Sequence, residues 1–257
     1  EAKPDMQPLF KALGIETDLA NIVWSDFNPS HQFRKVWPRN LVWSFRSKEG
    51  IGDVPYLSGV DSLLFPWPGE LRRAKDAPDE LKTTRLAFPV SESTWGHHQY
   101  DEFFTQSIFG KQMRAPERHV PLKTPRPSIA MEITGKMKRV YGPDEPPEEA
   151  KDSSLAQPAK GTLSDKPIRV ILVADTDFAH NEFFSIYRNA DNRFSADAVK
   201  FLSELRNVQF ISNVIDSLSG EKGYLDLRTR RPKSRPLTAL VKVLDEAQLA
   251  FRKAEVE

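Results

Sequence analysis

One stretch constrains the fold more than any other: Ile168 to Arg193, IRVILVADTDFAHNEFFSIYRNADNR. It opens on an apolar run, Ile168, Val170, Ile171, Leu172, Val173 and Ala174, broken only by Arg169. Continuous apolar runs of this length suit a strand covered on both faces, as in a parallel sheet sandwiched by helices. The chain then turns at Asp175-Thr176-Asp177, residue types whose side-chain oxygens accept bonds from the first free amides of a helix. Phe178, Phe183, Phe184 and Tyr187 follow at spacings that place them largely on one helical face. The stretch therefore reads as strand, acidic turn, helix. In an open α/β sheet such a turn lies at the carboxyl edge of the strands, where ligands bind.

The rest of the chain is read around that unit. Pro4 to Leu13 predicts a short helix with Gly14 just past its end. Ile15 to Trp24 moves toward an extended segment ending near Val23, and Ser25 to Arg39 is an irregular loop rich in Pro, Asn and aromatics. Strands are predicted at Leu41 to Phe45, Val60 to Phe65, Thr84 to Phe88 and Ile129 to Thr134, with turns at Gly50, Gly52 and Pro55 and at Pro66 to Gly69. Arg72 to Lys82 is charged and solvated. Gly142 to Pro167 holds Pro143, Pro146, Pro147, Pro158 and Pro167 among several acids, too polar to offset its ordering cost, and reads as a long mobile insertion. Ser195 to Leu205 and Gln209 to Leu218 are helical. The second turns Phe210, Ile211, Val214, Ile215 and Leu218 inward and stops at Gly220. Leu225 to Leu227 is a short strand, and a last helix from about Thr238 carries Leu237, Leu240, Leu244, Ala247, Phe251 and Ala254 as one stripe. The expectation is a three-layer α/β domain over residues 1–236 with a mainly parallel sheet, followed by a helix at 237–257. Because the chain opens on Glu1 and the final stripe runs to its end, it is expected to be part of a longer one.

Composition removes several function classes. Thirty-seven basic residues against thirty-six acidic ones leave a formal charge of +1, which gives no general attraction for nucleic acid. The absence of Cys removes thiolate nucleophiles, disulfides and cysteine metal sites. No run is long enough to span a bilayer, and there is no signal-peptide pattern.

Asp175 and Asp177 are the leading site candidates. Two carboxylates at a strand end can hold a divalent cation or act as acid and base, but the commoner use of Asp in a turn is to cap backbone amides. Asn192, after Asp191, is a further candidate ligand residue with the same turn alternative. Arg228, Arg230 and Arg231 open a basic segment that either contacts phosphate or an acidic membrane or is a solvated connector. His97 and His98 are adjacent, His31, His119 and His180 isolated, so the spacing of a zinc site is missing and no metal or cofactor is expected. No Gly-x-Ser-x-Gly elbow and no phosphate-binding glycine loop occurs. Trp37, Trp43, Trp67 and Trp95 could stack on sugars or fill a core.

Several blocks together carry a family resemblance. They are DMQPLFKALGIETD (Asp5 to Asp18), TTRLAFPVSESTW (Thr83 to Trp95), IAMEITGKMKRVYG (Ile129 to Gly142), VILVADTDFAHNEFF (Val170 to Phe184) and NVQFISNVIDSLSGEKGYLDLRTR (Asn207 to Arg230). In succession they resemble the GldG-type auxiliary proteins of ABC transporters, the gliding-motility-associated transport family. The resemblance implies a class I glutamine amidotransferase-like or flavodoxin-like α/β fold. It also implies a non-catalytic extracytoplasmic (periplasmic) domain, anchored in the bacterial inner membrane by segments outside this chain, beside an ABC permease and ATPase. It carries over no catalytic residue. Two alternatives stand beside this accessory role: an envelope glycan-binding module, and a metal-dependent hydrolase using Asp175 and Asp177.

Overall fold

The structure, a computed structural model, describes residues 6–18, 21–25, 27, 40–90, 95–99, 104–107, 110–113, 126–139, 160–164, 166–188 and 205–229. Eleven strands pair only antiparallel among the described residues. They are β1 (Ile15–Glu16), β2 (Asn21–Ser25), β3 (Leu41–Phe45), β4 (Ser62–Pro66), β5 (Arg72–Arg73), β6 (Leu81–Ala87), β7 (Trp95–Gln99), β8 (Phe104–Ser107), β9 (Gly110–Met113), β10 (Ala130–Gly135) and β11 (Ile168–Val173). The helices are α1 (Gln7–Ala12), α2 (Asn181–Tyr187), α3 (Asn207–Ser219) and α4 (Lys222–Thr229).

Among the described residues the expected mainly parallel, three-layer, flavodoxin-like sheet does not form. β11 runs antiparallel to β10, which runs antiparallel to β6, in a three-stranded sheet. The remaining strands form two-stranded ribbons: β1 with β5, β2 with β7, β3 with β4 and β8 with β9. Mixed helices and strands remain, so the α/β composition holds and the parallel order does not. The apolar run at Ile168 does form a strand, and it packs on both faces, but its residues are half-buried rather than fully buried as expected. Ile171 and Val173 pack against the cluster built on Val42, Leu57, Leu63, Phe65, Leu86, Phe178 and Phe210. Ile168, Val170 and Leu172 pack on the other side, with Leu13, Ile15, Leu71, Leu81, Met131 and Ile133. Two-sided packing explains the composition without requiring parallel partners.

Local predictions fared according to how local their physics is. β3 spans the predicted Leu41 to Phe45, with Trp43 buried and stacked on Phe45 at 5.3 Å. α1 ends at Ala12, one residue before the predicted Leu13, with Gly14 at φ 65° accommodating a left-handed turn. α3 stops at Gly220, φ 85°, as predicted. Phe210 is buried in its first turn, and Ile211 and Val214 pack against the same core. Ile215 and Leu218, predicted inward, are 59% and 46% exposed, because the stripe continues past the end of the core beneath it. Leu225 to Leu227 is helical, inside α4, rather than a strand. Leu225 packs inward while Tyr224 and Leu227 face out, which three residues of alternation cannot separate from a strand. Residues 142–159, most of the Pro-rich insertion, lie outside the described residues, as do the helix predicted from about Thr238 and all of the helix predicted at Ser195 to Leu205 except Leu205, which is not helical.

Candidate functional site

β11 ends against two backbone contacts: Ala174 donates to the Ile129 carbonyl at 2.9 Å, and Gly69 donates to the Ala174 carbonyl at 2.6 Å. The chain then turns. Asp175 Oδ1 accepts from the amides of Asp177 at 2.8 Å and Phe178 at 3.2 Å. This is the capping use of an aspartate, and it opens a short 3-10 helix, Asp177–Ala179. The turn has a packing consequence. It seats Phe178 between Phe65, stacked at 4.7 Å, and Phe210, edge-on at 5.2 Å. The second oxygen of Asp175, Oδ2, is buried and has no hydrogen-bond partner. Burial is the main force pushing this carboxyl up to about 8; the two amide bonds oppose the rise and the Asp177 charge adds to it. Chemically, the turn can hold a proton near neutral pH at one half-buried carboxyl, with Asp177 exposed beside it.

The other candidate residues do not gather here. Asn192, Arg230 and Arg231 lie outside the described residues, and Arg228 is part of α4. His97 and His98 occupy successive positions of β7, opposite Val23 and Ile22. Among the described residues, no group of three or more His, Asp or Glu could hold a metal ion. Trp43 is a core residue, and Trp67 is half-buried with φ 57°. Among the described residues, two of the clefts open to solvent have polar linings. One of about 270 Å³ is lined by Glu16, Thr17, Asp18, Glu70 and Arg72, with Glu70 buried and bonded to Arg72. The other, about 460 Å³, lies beside Arg46, Asp53 and Asp61, and Arg46 is bonded there to the Leu57 and Val60 carbonyls.

Sequence reasoning missed two polar clusters. In the first, Arg169 donates to Glu132 Oε1 at 2.6 Å and to the Ser217 carbonyl at 2.8 Å, with its guanidinium over Tyr56 at 5.0 Å. Burial, then the Glu132 charge, raises the Tyr56 hydroxyl above its ordinary value. Arg169 interrupting an apolar run was the available signal, since a lone charge in a covered strand needs a partner. In the second, Arg85 and Arg126 both sit over the Phe88 ring, at 4.5 and 4.3 Å. No local pattern marks that pairing, because the two arginines come from distant parts of the chain.

Among the described residues no helix is long and apolar enough to cross a membrane. No curated protein and no solved structure matches the chain. A family model described as an ABC-type uncharacterized transport system, auxiliary component, matches residues 1–214. That match takes in the strand-turn-helix unit, the three-stranded sheet and the first part of α3, as far as Val214. The chain therefore belongs to the auxiliary family of the ABC-type uncharacterized transport systems.

Proposed function

We propose that the chain is a non-catalytic accessory or scaffold domain of an ABC-type transport system. In this reading it stands on the extracytoplasmic face of the bacterial inner membrane, anchored by segments outside this chain. It works by contact with the permease and ATPase subunits of its system or with an envelope ligand. The family match over residues 1–214 carries the reading. The finer assignment, to the GldG type, rests on the succession of blocks from Asp5 to Arg230. Two structural features support a contact role. Asp175, the leading acid, is engaged in capping the turn that seats Phe178. The end of α3 and the outer side of α4 also leave Ile215, Leu218, Tyr224 and Leu227 exposed.

The test is recovery of transporter subunits. The tagged protein, expressed in its own host, is purified from gently solubilised membranes and its partners are identified by mass spectrometry. Enrichment of an ABC permease and its ATPase over an unrelated tagged envelope protein is the expected result. If neither subunit is enriched, the accessory reading falls.

A further inference from the structure

We propose that Arg85, Phe88 and Arg126 form a binding site for a doubly charged oxyanion, a phosphate group either free in solution or on a lipid headgroup. The inference stands apart from the accessory role and uses none of its residues.

The geometry begins with a shared platform. Arg85 is exposed on β6, Phe88 follows that strand, and Arg126 lies ahead of β10. Both guanidiniums sit within 4.5 Å of the centroid of the same ring. An aromatic face favours a cation, but two cations on one ring repel each other. Burial and this repulsion lower Arg85 from its ordinary value, and burial lowers Arg126; the charges of Glu70 and Glu49 offset this in part.

The partners of the two guanidiniums hold them in place without neutralising them. Arg85 donates to Ser128 Oγ at 2.6 Å, to the Pro127 carbonyl at 3.2 Å and to the Arg126 carbonyl. Arg126 donates to the Pro89 carbonyl at 3.1 Å and the Glu49 carbonyl at 2.8 Å. Every acceptor is uncharged. Among the described residues neither arginine is ion-paired with a carboxylate. Arg85 Nη1 and Arg126 Nε keep donors that none of these bonds uses. Two fixed guanidiniums with donors in reserve suit an anion that brings two charges and several acceptor oxygens. A phosphate group meets this need, carrying about −1.5 to −2 near pH 7. A single carboxylate would leave one of the cations uncompensated.

The experiment has two arms on the intact chain. Inorganic phosphate is titrated calorimetrically at low ionic strength. In parallel, the protein is sedimented with phosphatidylcholine vesicles containing or lacking phosphatidic acid. Saturable binding in either arm, weakened at least tenfold by Arg126→Gln and by Arg85→Gln but not by Lys82→Gln, is the expected result. Binding only to phosphatidic acid vesicles assigns the headgroup as the source; binding of inorganic phosphate assigns the free ligand. If a Gln variant loses cooperative unfolding, Arg126→Lys replaces it. That variant keeps the charge, loses the planar fork and should still weaken binding severalfold. No saturable binding in either arm, or binding that the Arg variants leave unchanged, overturns the proposal.

Discussion

The side-chain amide of Asn207 engages both backbone groups of Leu64. Its Oδ1 accepts from the Leu64 amide at 3.0 Å and its Nδ2 donates to the Leu64 carbonyl at 2.7 Å. Asn207 thereby acts as one residue of a neighbouring strand alongside β4, and it does so from the first position of α3. Deeper in the helix, Asn213 donates to the Tyr56 carbonyl at 2.9 Å. Both asparagines are buried, so α3 is fixed to β4 and to the 3-10 turn at Pro55–Leu57 by matched polar groups as well as by Phe210.

Asn207→Ala leaves two buried backbone groups of Leu64 without this partner. Unsatisfied buried groups cost about 1–3 kcal/mol each, so the variant should lose about 2–6 kcal/mol in urea unfolding. Asn207→Asp should also be destabilised, because it keeps the acceptor but replaces the donor with a charge. A loss within experimental error for Asn207→Ala would show that the Leu64 contact contributes nothing.

The Asp175 carboxyl predicts how stability changes with pH. Its folded value, about 8, lies above the ordinary 3.8, so between these values the folded chain binds more protons than the unfolded one. Stability from this group is fully present below the lower value and falls as pH rises through the higher one. Asp175→Asn keeps an acceptor for the Asp177 and Phe178 amides and removes the charge. Between pH 5 and 9, the stability of the wild-type chain should therefore fall relative to Asp175→Asn, with the variant the more stable above about pH 8. Parallel stability curves for the two proteins would rule Asp175 out as the source.

Arg169 and Glu132 test whether a partly buried ion pair is needed or merely matched. Glu132 is nearly buried while Arg169 is a third exposed. Arg169→Ala strands the carboxylate and frees the Ser217 carbonyl, and a loss of about 1–3 kcal/mol follows after allowing for solvent at the arginine. Replacing both, Arg169→Met with Glu132→Leu, should recover much of that loss, since the apolar pair leaves no charge behind. A double variant no better than Arg169→Ala would assign the loss to the Ser217 and Tyr56 contacts instead.

Gly135 and Gly161 separate crowding from backbone conformation. Both have positive φ, 136° and 84°. A methyl group at Gly135 would lie 2.0 Å from the Glu80 carbonyl oxygen, whereas nothing lies within 4 Å at Gly161. Gly161→Ala should cost about 1 kcal/mol for conformation alone, and Gly135→Ala about 3 kcal/mol or more because the β6–β10 pairing must shift. Equal melting temperatures for the two variants would show that the sheet yields without cost.

What was legible in the sequence was local. The Asp175 cap reaches two and three residues along the chain, Gly220 ends its own helix, and the alternatives at Asp175 already included the turn that forms. Sheet order was not legible. The run from Ile168 to Val173 states that both faces are covered, but not that its partner is the segment Ala130–Gly135 or that the two run antiparallel. The buried asparagines left a weak sign, being polar residues on a helix read mainly by its apolar stripe. The Arg85–Phe88–Arg126 cluster left none. Its charged groups sit 41 residues apart for the Arg85–Arg126 bond, and only the fold joins them.

The last prediction concerns the exposed end of α3. Ile215 and Leu218 continue the helix's apolar stripe into solvent, and Tyr224 and Leu227 are exposed on α4 beyond the Gly220 turn. Exposed apolar side chains contribute little to folding, so Ile215→Lys and Leu218→Lys should each change stability by no more than about 0.5 kcal/mol. If the accessory reading is right and this end meets the transporter, the same substitutions remove apolar contact area and place a charge in an interface. Recovery of the permease with the tagged chain should then fall severalfold while the melting temperature stays fixed. A fall in recovery that tracks a fall in stability would point to unfolding. Unchanged recovery would place the partner surface elsewhere on the domain and leave the family assignment intact. The two measurements together separate a contact surface from a structural one, because only the contact surface loses its partner without loosening the fold.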